Sequence, residues 1–183
     1  RHMRPDDMAA AAVRGAIAKL PALKPAHIED VIMGCAMPEA EQGYNLGRVV
    51  AHRAGLPPSV PGMPMNRLSK TGMQTVAIAP QAISLGQADV MMAGGAESMS
   101  LIPMGGDCWH PNPVMMANMP QVYMSMGLTA ENVAEQFEIS RADQDAFALR
   151  SHHKALNAIA TGRFMDEIIP LNVTNTVYQN GDV

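Results

Sequence analysis

The pattern of apolar and polar positions divides the chain into short alternating helices and strands. Pro5-Asp6-Asp7 opens an expected helix over residues 5–20, with acids in its first turn and Ala9, Ala12, Val13, Ala16 and Ile17 as its apolar stripe. Pro21 and Pro25 bracket its exit. Residues 30–36 read as a buried strand, because Val31, Ile32 and Met33 are consecutive and apolar. Residues 38–43 read as a loop and 45–54 as a short helix, which Pro57 and Pro58 break. A second strand over residues 59–65 reaches a polar corner, Asn66-Arg67-Leu68-Ser69-Lys70. The helix that leaves this corner runs to Gly86. It carries Met73, Val76, Ala77, Ile78, Ala79, Ala82, Ile83 and Leu85, and a helix apolar on nearly every side is expected to be buried. Pro80 lies inside it and removes one intrahelical hydrogen bond, at about 3 kcal/mol unless the helix kinks. Residues 88–93 form another continuous apolar strand. This alternation predicts an α/β fold, a mostly parallel sheet with helices on both faces.

The pattern changes at Gly94. Residues 94–127 hold four prolines (Pro103, Pro111, Pro113, Pro120), the lone Trp109, and a cluster of Met115, Met116, Met119, Met124 and Met126. A long irregular segment of this kind is usually functional or disordered. Soft thioether side chains suit either an adaptable lid or a loosely packed core. Thr129 is expected to cap a helix over residues 129–139. Ser140-Arg141-Ala142-Asp143 resembles a capping box opening a helix to Thr161, with Gly162 as its stop. The stripe Ala142, Ala146, Leu149, His153, Leu156 and Ala160 is its expected buried face. Residues 168–174 and 176–178 read as a hairpin-like pair of strands.

Composition narrows the function classes. Hydrophobic residues at 48% and charged residues at 16% indicate a globular chain. A formal charge of −4 with no basic block argues against nucleic-acid binding. No apolar run is long enough for a transmembrane helix. Two cysteines, Cys35 and Cys108, make a disulfide scaffold unexpected and suggest a reducing compartment. The chain opens Arg1-His2-Met3, and Arg1, Arg4 and Arg14 faintly suggest a transit peptide, which Asp6 and Asp7 argue against.

The polar corner is the main chemical candidate. A helix N-terminus presents free backbone N–H groups and the positive end of the macrodipole, which suits a nucleophile or an oxyanion site. Ser69 stands there. It reads either as an N-cap, accepting a hydrogen bond from the first turn, or as a nucleophile. Lys70 beside it keeps open a serine hydrolase. Other candidates are weaker. His152 and His153 project about 100° apart on one helix and do not easily face one metal. Cys108 and His110 fall short of the four ligands of a structural zinc site. Glu39 and Glu41 read as a solvated loop or a carboxylate pair. Gly94-Gly95 lacks the Gly-Lys-Ser/Thr of a phosphate loop.

Asn66-Arg67-Leu68-x-x-Thr71-Gly72-Met73-Gln74 resembles the nucleophile segment of the thiolases, the acyl-CoA C-acyltransferases. The likeness continues in residues 34–43 (GCAMPEAEQG), 93–100 (AGGAESMS), 127–134 (GLTAENVA), and Ser140-Arg141-x-x-Gln144-Asp145-x-Phe147-Ala148. Order and spacing fit the 3-ketoacyl-CoA thiolases of fatty-acid β-oxidation over nearly the whole chain. The resemblance implies a layered α/β/α fold with a buried central helix and the start of a loop domain. Residues 1–94 would be a partial N-terminal core lacking the family's first strand, and residues 95–183 the lid region and following helices. That missing strand would leave the sheet with exposed edges.

By the same resemblance the activity would be thiolytic cleavage of 3-ketoacyl-CoA to acyl-CoA and acetyl-CoA, with CoA a substrate and no bound cofactor or metal. Ser69 occupies the position of the acyl-accepting Cys, and its N–H would help form an oxyanion hole. Met126 falls where the family approaches the pantetheine and acyl groups. The resemblance further implies a homo-oligomer, dimer or tetramer, with a β-oxidation subunit as a further partner. It implies a bacterial-type cytoplasmic location, with mitochondrion and peroxisome left open. The chain departs from the pattern at Ser69 and Lys70, and it contains neither the Gly-His-Pro nor the Cys-x-Gly-Gly-Gly motif of the family's C-terminal half. The alternative is a catalytically inactive thiolase-like protein that binds acyl-CoA or associates with a partner subunit.

Overall fold

The computed structural model describes residues 3–174, which divide into two compact units, residues 3–109 with 169–174 and residues 110–168. The first unit is built as α1 (Pro5–Ala18), β1 (Asp30–Gly34), α2 (Leu46–Arg53), β2 (Gly62–Met65), α3 (Thr71–Ser84) and β3 (Met91–Gly95). The strands form a parallel sheet in the order β2-β1-β3, with Ile32 opposite both Met63 and Ala93. The expected alternation and parallel pairing are therefore present.

β1 is the centre because its consecutive apolar residues face apolar layers on both sides. Val31, Met33 and Cys35 join a core with Ala9 and Val13 of α1 and Leu46, Val50 and Ala51 of α2. Ile32 and Gly34 alternate to the other face, where a Cβ on Gly34 would lie 2.6 Å from Thr71 Cγ2 of α3. α2 approaches the sheet backbone to backbone. A Cβ on Gly62 would fall 2.3 Å from Arg48 N, and one on Gly47 2.6 Å from the Val31 and Met63 carbonyl oxygens. Asn45 fixes this approach: its Oδ1 accepts from Arg48 N (2.9 Å) and its Nδ2 donates to the Gly62 carbonyl (2.8 Å).

Several sequence expectations are corrected in this unit. β1 pairs directly with β3 over five residues, so among the described strands β2 and β3 are the edges of the sheet. α3 is not a buried helix. Only Thr71, Thr75 and Ala79 are buried, while Met73 and Leu85 are 75% and 73% exposed. One stripe meets the sheet, and nothing among the described residues covers the other sides. The helix continues through Pro80. Residues 168–174 form no strand, and the second half of that hairpin, residues 176–178, lies outside the described residues.

The second unit contains α4 (Pro113–Asn118), a 3-10 turn (Pro120–Tyr123), α5 (Met126–Gln136) and α6 (Arg141–Ala160). The segment 94–127 is thus not wholly irregular: Asn112 caps α4 through Val114 N and Met115 N. α5 begins earlier than expected. Ser125, not Thr129, is its cap and accepts from Leu128 N (3.3 Å), while the Thr129 hydroxyl donates to the Ser125 carbonyl (3.1 Å). Ser140 caps α6 as expected, accepting from Asp143 N (3.2 Å) and donating to Asp143 Oδ2 (2.6 Å). Gly162, at φ +71°, ends that helix. The expected buried stripe of α6 is exposed, with Leu149 at 57% and Leu156 at 63%. No residue of this 20-residue helix is buried.

Candidate functional site

The corner after β2 is positioned from both ends. Cys35 N donates to the Met65 carbonyl (3.0 Å), which carries the β1–β2 pairing up to its edge. Asn66 then ties the corner to β1. Its Nδ2 donates to the Ala36 carbonyl (3.0 Å), and its Oδ1 accepts from Leu68 N (2.7 Å). Leu68 lies in the left-handed region at φ +49°, a conformation that costs a non-glycine residue about 1–2 kcal/mol. Thr71 holds it there. Its hydroxyl donates to the Leu68 carbonyl and accepts from Arg67 N (2.8 Å), and its own N–H donates to the Leu68 carbonyl (3.0 Å). Arg67 is fixed to α3 by a bond from its guanidinium to Gln74 Oε1 (2.7 Å).

Ser69 stands at the top of this turn and is exposed. It is not the N-cap of α3. That position is Lys70, which makes no side-chain capping bond, and the Asn66 and Thr71 side chains brace the turn instead. Ser69 Oγ has no hydrogen-bond partner among the described residues, and Lys70 makes no side-chain hydrogen bond to it. The first turn of α3 directs free N–H groups and the positive end of its dipole to this corner. What the corner offers is an exposed hydroxyl on a rigid, strained turn beside a positive helix end, without a base in contact.

A second polar cluster lies behind the corner, where β1 and β3 end. The Glu97 carboxylate accepts from Ala36 N (2.5 Å), Met37 N (3.2 Å) and Gln42 Nε2. Gln42 is fully buried. It also donates to the Met37 carbonyl (2.7 Å) and accepts from Ser98 N (2.9 Å). The buried Cys35 thiol donates to Glu97 Oε1 (3.6 Å), and burial followed by the Glu97 charge pushes its pKa up to about 12. Cys35 is therefore a thiol and not a nucleophile at neutral pH. Sequence reasoning assigned Glu97 and Gln42 no role. The available signal was an acid immediately past a strand end, where two successive β1-loop amides need an acceptor.

The remaining candidates separate. Glu39 accepts from Asp107 N (2.6 Å) and Cys108 N (3.3 Å), so it secures a loop and does not pair with Glu41, whose backbone carbonyl accepts from Arg4. Cys108 is exposed and free. Met126, in the second unit, is the first residue of α5 and 66% exposed. His110, His152 and His153 belong to no potential metal cluster: among the described residues no three His, Cys, Asp or Glu side chains come together. Among those residues no helix is long and apolar enough to cross a membrane.

The family model described as thiolase, N-terminal domain, matches residues 1–181. A 3-ketoacyl-CoA thiolase of Bacillus subtilis is 48% identical over 174 residues, covering 95% of this chain and 44% of that protein. Proteins of the same description from Idiomarina loihiensis and Vibrio cholerae are each 40% identical, covering 96% and 93% of this chain. The chain spans slightly under half the length of these relatives, 44–45%.

Proposed function

The chain belongs to the thiolase family, as its N-terminal domain, and on that premise we propose that it carries the acyl-accepting corner of a 3-ketoacyl-CoA thiolase. The observation that supports this most directly is the placement of Ser69, exposed between the strained Leu68 and the start of α3, where the family carries its acyl-accepting Cys. In this reading Ser69 Oγ attacks the 3-keto carbonyl of the substrate and gives up its proton to a base. The bond between C2 and C3 breaks, leaving an acyl ester on Ser69 and the enolate of acetyl-CoA, which takes a proton. The thiol of CoA then attacks the ester and releases the shortened acyl-CoA. The positive end of α3 and the Ser69 N–H stabilise the oxyanion.

A serine hydroxyl needs a positioned base far more than a thiol does. In this reading the base, and the acid that protonates the enolate, lie beyond the chain described, as in the family's Gly-His-Pro and Cys-x-Gly-Gly-Gly motifs. Met126 would approach the pantetheine or acyl group. The protein would be a homo-oligomer. Its two unpaired cysteines and bacterial relatives favour a cytoplasmic location.

A second reading rests on one observation, the unpartnered hydroxyl of Ser69: a thiolase-like protein that binds acyl-CoA without turning it over, or that serves a partner subunit. One experiment separates the two. The complete protein is given 3-ketoacyl-CoA and CoA, acyl-CoA release is followed, and acyl-CoA binding is measured by calorimetry. Turnover that Ser69→Ala removes supports acyl transfer, and Ser69→Cys should then raise kcat about a hundredfold or more. Binding without turnover supports the second reading. Neither turnover nor binding, with no co-purifying partner subunit, removes both.

A further inference from the structure

The turn that carries Ser69 is not braced by its own residues alone. From Leu68, the residue before Ser69, a series of hydrogen bonds runs past the end of β1. Leu68 N donates to Asn66 Oδ1 (2.7 Å), Asn66 Nδ2 donates to the Ala36 carbonyl (3.0 Å), and the N–H groups of Ala36 (2.5 Å) and Met37 (3.2 Å) donate to Glu97. Glu97 belongs to the segment just after β3, so the series joins the exits of all three strands. Its other end is anchored by buried Gln42, which donates to Glu97 and accepts from Ser98 N (2.9 Å).

We propose that Glu97 is a positioning residue for Ser69, acting through the Ala36 peptide and Asn66 to hold Leu68 in its left-handed turn. The proposal rests on the acyl-transfer reading for its effect on turnover, but not for its effect on the turn itself. Four donors converge on the Glu97 carboxylate: the Ala36 and Met37 amides, Gln42 Nε2 and the Cys35 thiol. An acceptor-only group suits that environment, and an amide does not, because half of its polar surface would face donors with a donor. The bond that Met37 N donates to Glu97 (3.2 Å) polarises the Ala36–Met37 peptide and strengthens its carbonyl, that of Ala36, as the acceptor for Asn66. If the Asn66 amide loses that partner, its Oδ1 is free to leave Leu68 N, and the φ of +49° loses one of its two supports, the other being Thr71. Loss of register at the corner moves Ser69 relative to the helix dipole without altering any group that touches substrate.

The test is Glu97→Gln in the complete protein, with two readouts. The first is amide hydrogen exchange. Exchange of Leu68 and Lys70 should accelerate about tenfold or more, while the amides of α2 remain within about twofold. The second is kinetics in the Ser69→Cys background, where kcat should fall about tenfold with KM nearly unchanged. Asn66→Asp cuts the same series from an exposed position, so it remains informative if Glu97→Gln does not fold. It keeps an acceptor for Leu68 but loses the donor to Ala36, and it should give the same localised acceleration. Unchanged exchange at Leu68 in either folded variant overturns the proposal. So does equal acceleration throughout the core, which would mark Glu97 as a general structural group. If no variant turns over substrate, the acyl-transfer reading fails while the exchange measurement still decides the positioning role.

Discussion

At the residue scale the two cysteines differ in burial. Cys35 is 2% exposed, bonded to Glu97, and pushed up to about 12, whereas Cys108 lies free at the surface. An aromatic disulfide reagent at pH 8 should therefore label Cys108 quickly and Cys35 only after denaturant is added. Rapid labelling of two thiols in the native protein would contradict the burial of Cys35. Its raised pKa also fixes a sign. The folded state holds the thiol proton more tightly than the unfolded chain does, so the contribution to stability is complete below about pH 9 and is lost as pH rises from there towards 12. Denaturant midpoints of the parent protein should fall more steeply than those of Cys35→Ala across that window, and parallel slopes would contradict it. The polar corner was legible in the sequence, from a strand that reaches it and a helix that leaves it, but the local pattern left Ser69 as either cap or nucleophile, and the cap position of α3 is Lys70. The support of the corner was not legible. Asn66, Ala36 and Glu97 are 30 and 61 residues apart along the chain, and their meeting depends on strand order, which no local pattern carries.

At the element scale, consecutive apolar residues located β1 and β3, and turn chemistry located most helix ends. Ser140 is the clearest case, since its hydroxyl accepts from Asp143 N and donates to Asp143 Oδ2. Ser140→Ala should cost about 1 kcal/mol, because α6 buries no residue that could hold its first turn in place. Hydrogen exchange across residues 141–145 should rise accordingly, and protection unchanged in that variant would assign the stability of the turn to something other than the cap. Ser125 was missed because Thr129, also a capping residue by type, lies four residues later. The hydroxyl of Thr129 back-bonds to the Ser125 carbonyl from within the helix, which is what Ser and Thr do when they are not capping. The stripes of α3 and α6 show a different limit. A periodic apolar face states what a helix can bury, and the surface that buries it need not be in the same stretch of chain.

At the scale of the whole molecule this limit becomes the main physical fact. Met73 and Val76 on α3, and Phe147, Leu149, Leu156 and Ile159 on α6, are each more than half exposed. Patches of this kind on a stable monomer are uncommon, and larger ones mark surfaces that meet protein. The chain spans slightly under half the length of its relatives, 44–45%. That makes a quantitative contrast available. The 183-residue chain alone should bind an apolar dye such as ANS and sediment as concentration-dependent aggregates, while a polypeptide of the relatives' full length should do neither. Within the short chain, protection from hydrogen exchange should be highest in β1, whose residues Val31 and Ile32 are fully buried, and lowest in α6. A dye-free, monodisperse short chain with α6 as protected as β1 would mean that these helices find their cover within residues 1–183, and that their apolar faces are not surfaces that meet other protein.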